Sequence, residues 1–347
     1  MNANVLPALA AAFLFGLSTP VAKQLLDSVS PVLLGGLLYL GSGIGLIAAR
    51  LWRDRGWQTK GLNAGEWPWL AGAIVFGGVL GPVALMLGLQ RTSGATASLL
   101  LNLEAVLTAV LAWVVFQENA DRRVVAGMLA IVAGGVILSW PSDGATETGW
   151  NSGSWLIALA CLCWAIDNNL TRKVSASDAL FIAGSKGLVA GTVNVALAMA
   201  LGAAWPSTGT TAGAMAVGLL GYGVSLVLFV LALRGLGTAR TGAYFSVAPF
   251  IGALVSLLWL DESVGTEFWV ACGLIALGVW LHLTERHEHE HCHEPIEHSH
   301  RHVHDAHHQH EHGFDWGGRE SHVHAHSHAA ITHKHPHFPD IHHRHSH

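Results

Sequence analysis

The sequence predicts an all-α membrane protein of ten transmembrane helices, arranged as two inverted five-helix repeats, with a disordered C-terminal tail. Three observations predict it. Hydrophobic residues make up 51% of the chain and charged residues only 12%, where a soluble domain carries about 25% charged. Apolar stretches near the length needed to cross about 30 Å of hydrocarbon recur up to residue 283. All 24 histidines lie from His282 onward, in a polar remainder with almost no apolar residues to bury. Such a chain is expected to lack fixed structure without a ligand.

The expected spans are 5–25, 31–51, 67–89, 95–117, 123–140, 153–172, 179–202, 212–234, 239–260 and 266–283. Turn formers or charges separate them, as in Pro141-Ser142-Asp143-Gly144 and Trp205-Pro206-Ser207. The first span has no Lys or Arg before Lys23. A secretory signal carries a basic leading region, so this span is expected to be retained. Of four cysteines, Cys161, Cys163 and Cys272 lie in apolar runs, and no disulfide framework is suggested. Many of the 40 glycines lie inside spans, where small residues let helix backbones approach closely in lipid.

Basic residues set the orientation. The second link holds Arg53, Arg55 and Lys60; the fourth, Arg122 and Arg123; the sixth, Arg172 and Lys173; the eighth, Arg234 and Arg240. The odd links hold almost none, Arg91 being the exception. Even links and both termini are therefore expected to be cytoplasmic, in a multi-pass protein of a cell membrane such as the bacterial inner membrane.

The body also repeats itself. Leu89–Glu118 aligns without a gap with Leu233–Glu262, an offset of 144 residues, and the first span has a similar match to the sixth. The expected units are a first repeat at 1–141, a second at 152–283 and a tail at 285–347. An odd number of spans per repeat makes the two insert in opposite senses. That plan recurs in secondary transporters, whose substrate site lies near the membrane midplane between the repeats.

Two such halves, each with a fourth helix of the form LLLNLEAVLTAVLAWVVFQE, resemble the EamA-type transporters of the drug/metabolite transporter superfamily. In that resemblance Glu104 matches an acidic position of the fourth helix. Glu118 and Asp261-Glu262 match a helix-ending Gly-Glu pair whose glycine is replaced here in both copies, and Trp164 matches a tryptophan early in the first helix of a half. An arginine common in the second helix of each half is Leu38 in the first half and Lys186 in the second. The resemblance implies an efflux carrier for small molecules, often proton-linked.

Ionisable groups inside spans are costly and default to functional candidates. Glu104 lies near the middle of the fourth span with Asn102 two positions before it, and a carboxyl taken out of water is a ready proton acceptor. Asp167, Asn168 and Asn169 form a polar cluster about one turn from the cytoplasmic end of the sixth span. They either line a cavity mouth or cap the helix against Arg172 and Lys173. Lys186 enters the seventh span and either snorkels to the interface or pairs with Asp167 or Glu104. Tyr222 and Tyr244 complete the candidate path, although tyrosines in spans commonly serve packing. Cys163 and Asp167 share a helix face, which is a weak metal signal because small cysteines are ordinary core residues.

The tail offers His287, His289, His291, His293, His298, His300, His302, His304, His307, His308, His310 and His312 as divalent-metal ligands, with no unique set. Imidazole suits Zn, Cu and Ni, and the divalent metal expected in the tail is Zn, Ni or Co. The function expected is a secondary carrier, proton-coupled, exporting a small metabolite or drug under a metal-binding regulatory tail. Two alternatives are an exporter of Ni, Co or Zn, and a membrane sensor that only sequesters metal. No phosphate-binding or dinucleotide glycine motif occurs, which weighs against an enzyme or ATP-driven pump. Expected partners are the lipid bilayer, protons, a small-molecule or ion substrate and a second copy in a homodimer, without nucleic acid and without a required cofactor.

Overall fold

The computed structural model describes residues 5–56, 62, 64–116, 122–140, 152–174, 178–236, 238–284, 288–293, 296–302, 322–328 and 331–336. Helices α1 (Val5–Leu25) and α2 (Pro31–Arg53) open the chain. Proline at the first position of α2 sits where its missing N–H costs nothing and its fixed φ suits the helix. The next span runs Trp67–Gln90 and is built from α3 (Trp67–Ala73), a π-helical segment Ile74–Leu80 and α4 (Gly81–Gln90). Helix α5 (Gly94–Leu100) starts on Ser93, whose side chain accepts from the Thr96 N–H. It breaks at Leu101-Asn102 before α6 (Leu103–Phe116), and α7 (Arg122–Ser139) follows.

The second half follows the same plan. It holds α8 (Ser152–Arg172), α9 (Ala179–Ala200), α10 (Thr208–Gly218), a π-helical segment Leu219–Val224 and α11 (Ser225–Leu236). Helices α12 (Thr238–Phe245), α13 (Ala248–Trp259) and α14 (Thr266–Leu283) complete it. Both π segments and both broken helices fall at matching places in the two halves.

Eight described helical stretches are long and apolar enough to cross a membrane. They agree with eight of the ten expected spans. The other two differ for physical reasons. Helix α8, which covers the span expected at 153–172, is 21 residues long but carries Asp167, Asn168, Asn169 and Arg172 in its last turns, which lowers its hydropathy. The span expected at 239–260 is divided by the turn at Ser246-Val247 into α12 and α13, each too short alone.

Like packs on like between the halves: α2 lies along α9, and α7 along α14. Glycines set the separation. A Cβ on Gly187 of α9 would stand 2.7 Å from the Gly43 Cα of α2, and one on Gly278 of α14 would stand 2.6 Å from the Gly127 carbonyl oxygen of α7. Around this interior runs an apolar perimeter. Leu6, Val114, Leu129 and Leu258 are exposed, as are tryptophans near helix ends, including Trp52, Trp140, Trp155 and Trp280. That surface suits hydrocarbon with aromatic anchors at its edges.

At the α2–α9 end, the Arg53 guanidinium bridges Asp54 and Asp178, and Arg50 lies 5.0 Å over the Phe181 ring. Asp178 also caps α9 by accepting from the Phe181 N–H. The Arg53 hydrogen bond holds the Asp54 carboxyl below its usual range.

Within the histidine-rich tail, four short strands are described. Strands β1 (Glu288–His293) and β4 (Ile331–Pro336) pair antiparallel, as do β2 (Ile296–His302) and β3 (His322–His328). Strict alternation of histidine with other residues has the period of a strand, and a ladder satisfies backbone groups that a lone extended chain leaves to water. The register sets His289 opposite His335, His291 opposite His333, His298 opposite His326, His300 opposite His324 and His302 opposite His322. Of the proposed metal ligands, His287, His304, His307, His308, His310 and His312 lie outside the described residues, as does Glu118.

Candidate functional site

The polar site forms where α6, α8, α9 and the first π segment meet. A π turn spaces its backbone hydrogen bonds differently from an α-helix and often marks a functional position. Here the Gly77 carbonyl oxygen accepts twice, from the Tyr39 hydroxyl at 2.7 Å and from the Trp164 indole N–H at 3.0 Å. The Gly78 carbonyl accepts from the buried Asn194 amide at 3.1 Å. Gly77 has no side chain because the Asp167 carboxylate occupies that space, and Gly81 has none because a Cβ would stand 2.8 Å from the Trp164 indole nitrogen.

Asp167 is buried and pairs with the Lys186 ammonium, whose side chain is 18% exposed. The Thr171 hydroxyl donates to the other Asp167 oxygen at 2.9 Å. One turn along α8 from Trp164, Asn168 is exposed and donates at 2.8 Å to the Glu104 carboxylate and at 3.4 Å to the Thr108 hydroxyl. Glu104 is the first acidic residue of α6, which starts just beyond the break at Leu101-Asn102. The site thus has two carboxylates and one ammonium. Asp167 is neutralised by Lys186, and Glu104 faces an amide. An aromatic wall adjoins it: the Tyr39 and Tyr222 rings are 5.8 Å apart, and Phe15 lies 6.0 Å from Tyr222 and 5.4 Å from Phe245.

The structure brings Glu104, Asp167, Asn168 and Lys186 together, and Tyr222 stands beside them against Tyr39. Of the two pairings open to Lys186, it makes the one with Asp167. Asn102 does not join them: its amide turns back to the Leu99 carbonyl at 2.9 Å and closes the end of α5. Asn169 likewise bonds its own helix at Ala165, with a long 3.5 Å contact to the Thr108 carbonyl. Tyr244 is half-buried on α12, outside this network. Cys161 donates weakly to the Leu100 carbonyl at 3.6 Å, and Cys163 is buried in the core. Among the described residues, no group of three or more His, Cys, Asp or Glu side chains is placed to hold a metal ion. The reading from sequence passed over Tyr39, Thr108 and Asn194. Tyr39 had a signal, being one of only three tyrosines in the chain and alone in an apolar helix.

A family model described as the EamA-like transporter family matches residues 3–140 and 151–284. The chain belongs to that family. The EamA-like body is similar to an uncharacterized transporter of Methanothermobacter thermautotrophicus, at 26% identity over 73% of this chain and 78% of that one. It is also similar to a chloroplastic WAT1-related protein of Arabidopsis thaliana, at 26% identity over 78% of this chain and 66% of that one. A shorter match, 40% identical over 106 residues, covers 28% of this chain and 88% of a Pseudomonas aeruginosa protein. That protein is named as a probable 4-amino-4-deoxy-L-arabinose-phosphoundecaprenol flippase subunit, ArnE. One solved crystal structure shares the fold at a TM-score of 0.60 and 19% identity, over 81% of this chain and 95% of its own. This EamA-like protein is accordingly a multi-pass membrane transporter whose surroundings are the lipid bilayer and whose substrate is a small molecule.

Proposed function

We propose that this EamA-like protein is a proton-coupled secondary carrier that exports a small organic solute bearing a positive group. The observation that carries the reading is the charge balance of the polar site. Asp167 and Lys186 cancel, leaving one carboxyl, Glu104, whose described partner is the neutral Asn168 amide. A low-dielectric site with one uncompensated carboxylate has room for one positive charge. A proton and an ammonium group compete for it, so loading one releases the other. The aromatic wall of Phe15, Tyr39, Tyr222 and Phe245 suits an organic cation better than a metal ion. The Lys186 ammonium beside the site also opposes a divalent metal.

In this reading the chain crosses the membrane ten times as two inverted halves, with both termini cytoplasmic, and the halves rock about the site. The matching π segments and broken helices support the repeat, and the basic even links support the orientation. The tail binds Zn, Ni or Co and regulates the carrier. The backbone register supports this by setting histidine opposite histidine in both ladders.

The test is solute-driven proton movement in proteoliposomes containing a pH-sensitive dye. Organic ammonium compounds presented one at a time should each move protons only if they are carried, and Glu104→Gln should abolish the signal while insertion persists. Proton movement unchanged in that variant overturns the reading. Metal accumulation in cells expressing full-length and tail-deleted protein separates metal export from metal sensing, since only an exporter lowers it without its tail.

A further inference from the structure

We propose that Glu262 is the latch of an external gate that is closed in this structure. Helix α5 of the first half and α13 of the second cross at the end of the bundle that the basic residues assign to the outside. Each presents a small residue, three others, then a second small residue: Gly94 and Ser98 on α5, Gly252 and Ser256 on α13. They interlock reciprocally. A Cβ on Gly94 would stand 2.6 Å from the Ser256 hydroxyl oxygen, and one on Gly252 would stand 2.7 Å from that of Ser98. Both hydroxyls are buried and neither has a hydrogen-bond partner among the described residues, so the crossing is held by contact alone.

Beyond the end of α13 the chain turns back. Asp261 adopts a left-handed φ of 51°, a conformation that aspartate tolerates better than most residues with a side chain. The turn aims Glu262 at α5, where its two oxygens accept from the Gly94 N–H at 2.6 Å and the Ala95 N–H at 2.8 Å. A carboxylate on two amides at the positive end of a helix is a strong, charge-assisted link. Lys23 steadies the same corner by donating to the Leu89 and Thr92 carbonyls at 2.7 and 2.8 Å.

Among the described residues, the opposite end shows no such closure. The counterparts of α5 and α13 in the other half are α12 and α6, and among the described residues these make no comparable packing. Asn168, which holds Glu104, is exposed. Among the described residues one end is zipped and the other is not, the asymmetry of a carrier caught facing the cytoplasm. A contact seal without internal hydrogen bonds and with one polar latch at its rim is a closure that can be undone. Releasing Glu262 frees α5 to part from α13.

The experiment uses full-length protein with its four native cysteines replaced by serine. Ser98→Cys and, separately, Asn168→Cys are labelled with a membrane-impermeant maleimide in right-side-out and everted vesicles. Asn168→Cys should be labelled in everted vesicles only. Ser98→Cys should be labelled slowly, in right-side-out vesicles, and about tenfold faster once Glu262→Gln removes the charged acceptor. If Glu262→Gln does not insert, Gly94→Ala, which presses on Ser256, should give the same acceleration. Labelling of both positions from one face overturns the gate. So does a Ser98→Cys rate that neither variant changes.

Discussion

The two π-helical segments have the same place in their halves but different surroundings. Around Ile74–Leu80 stand Tyr39, Trp164, Asp167, Lys186 and Asn194, and its carbonyls are bound by side chains from three other helices. Around Leu219–Val224 the fit is tight but uncharged: Gly221 has Ser18 behind it, at 2.7 Å from a Cβ placed there, and Gly218 lies against the Leu38 backbone. With the halves aligned so that Leu38 matches Lys186, Thr19 takes the place of Asp167. The scaffold is duplicated and the ionic chemistry is not.

The comparison can be broken by moving charge between the copies. Asp167→Asn leaves the Lys186 ammonium partly buried without its counter-ion and should destabilise the protein by about 3–5 kcal/mol. Thermal unfolding in detergent measures this, and the double variant Asp167→Asn/Lys186→Met should recover most of it. Thr19→Val in the other half should cost about 1 kcal/mol or less. Equal losses at Asp167 and Thr19 would show the halves to be equivalent after all. Gly77→Ala pushes a methyl into the Asp167 carboxylate and should cost about 1–3 kcal/mol and the transport signal with it. Trp164→Phe and Tyr39→Phe each remove one donor to the Gly77 carbonyl, at about 1 kcal/mol apiece, and together should cost more than their sum because the oxygen is then left unbound.

The smallest effect lies at the α2–α9 end, where the first half carries Arg53 and Asp54 at its helix terminus and the second carries Leu201 and Gly202. Arg53 lowers the Asp54 pKa in the folded protein. Its contribution is therefore present above the unfolded value and disappears as pH falls below about 4. Asp54→Asn should remove that part of the acid sensitivity of the melting temperature and leave neutral pH almost untouched.

Much of the body was legible from sequence because lipid imposes a simple rule: length and hydropathy place a span whatever it packs against. Eight spans followed from that rule; of the other two, α8 carries Asp167, Asn168 and Asn169 near its end, and the one at 239–260 is divided at Ser246-Val247. Glu104, Asp167 and Lys186 stood out because charge within a span is rare, and Asn168 stood out in the polar run beside Asp167. The pairing of Lys186 with Asp167 rather than Glu104 was not legible, since it depends on how α8 and α9 are rotated about their axes. Nor was the inward turn of Asn102 onto its own helix, which follows from a break that no proline or glycine marks. Tyr39 and Asn194 were hidden because their partners are carbonyls freed by a π turn, and a π turn has no motif of its own.

The pairing of α2 with α9 and of α7 with α14 has a consequence for synthesis. The ribosome delivers the first half before either partner exists, so Gly43 and Gly127 meet lipid tails while the second half is still being made. Among the described residues, the atoms nearest a Cβ placed at Gly43 or Gly127 all belong to the second half. The nascent chain must wait in the bilayer with two incomplete faces, each matched to a helix not yet translated. A carrier built this way is assembled by its own later half, and truncation between the halves should leave an inserted fragment that lacks its companions and invites degradation.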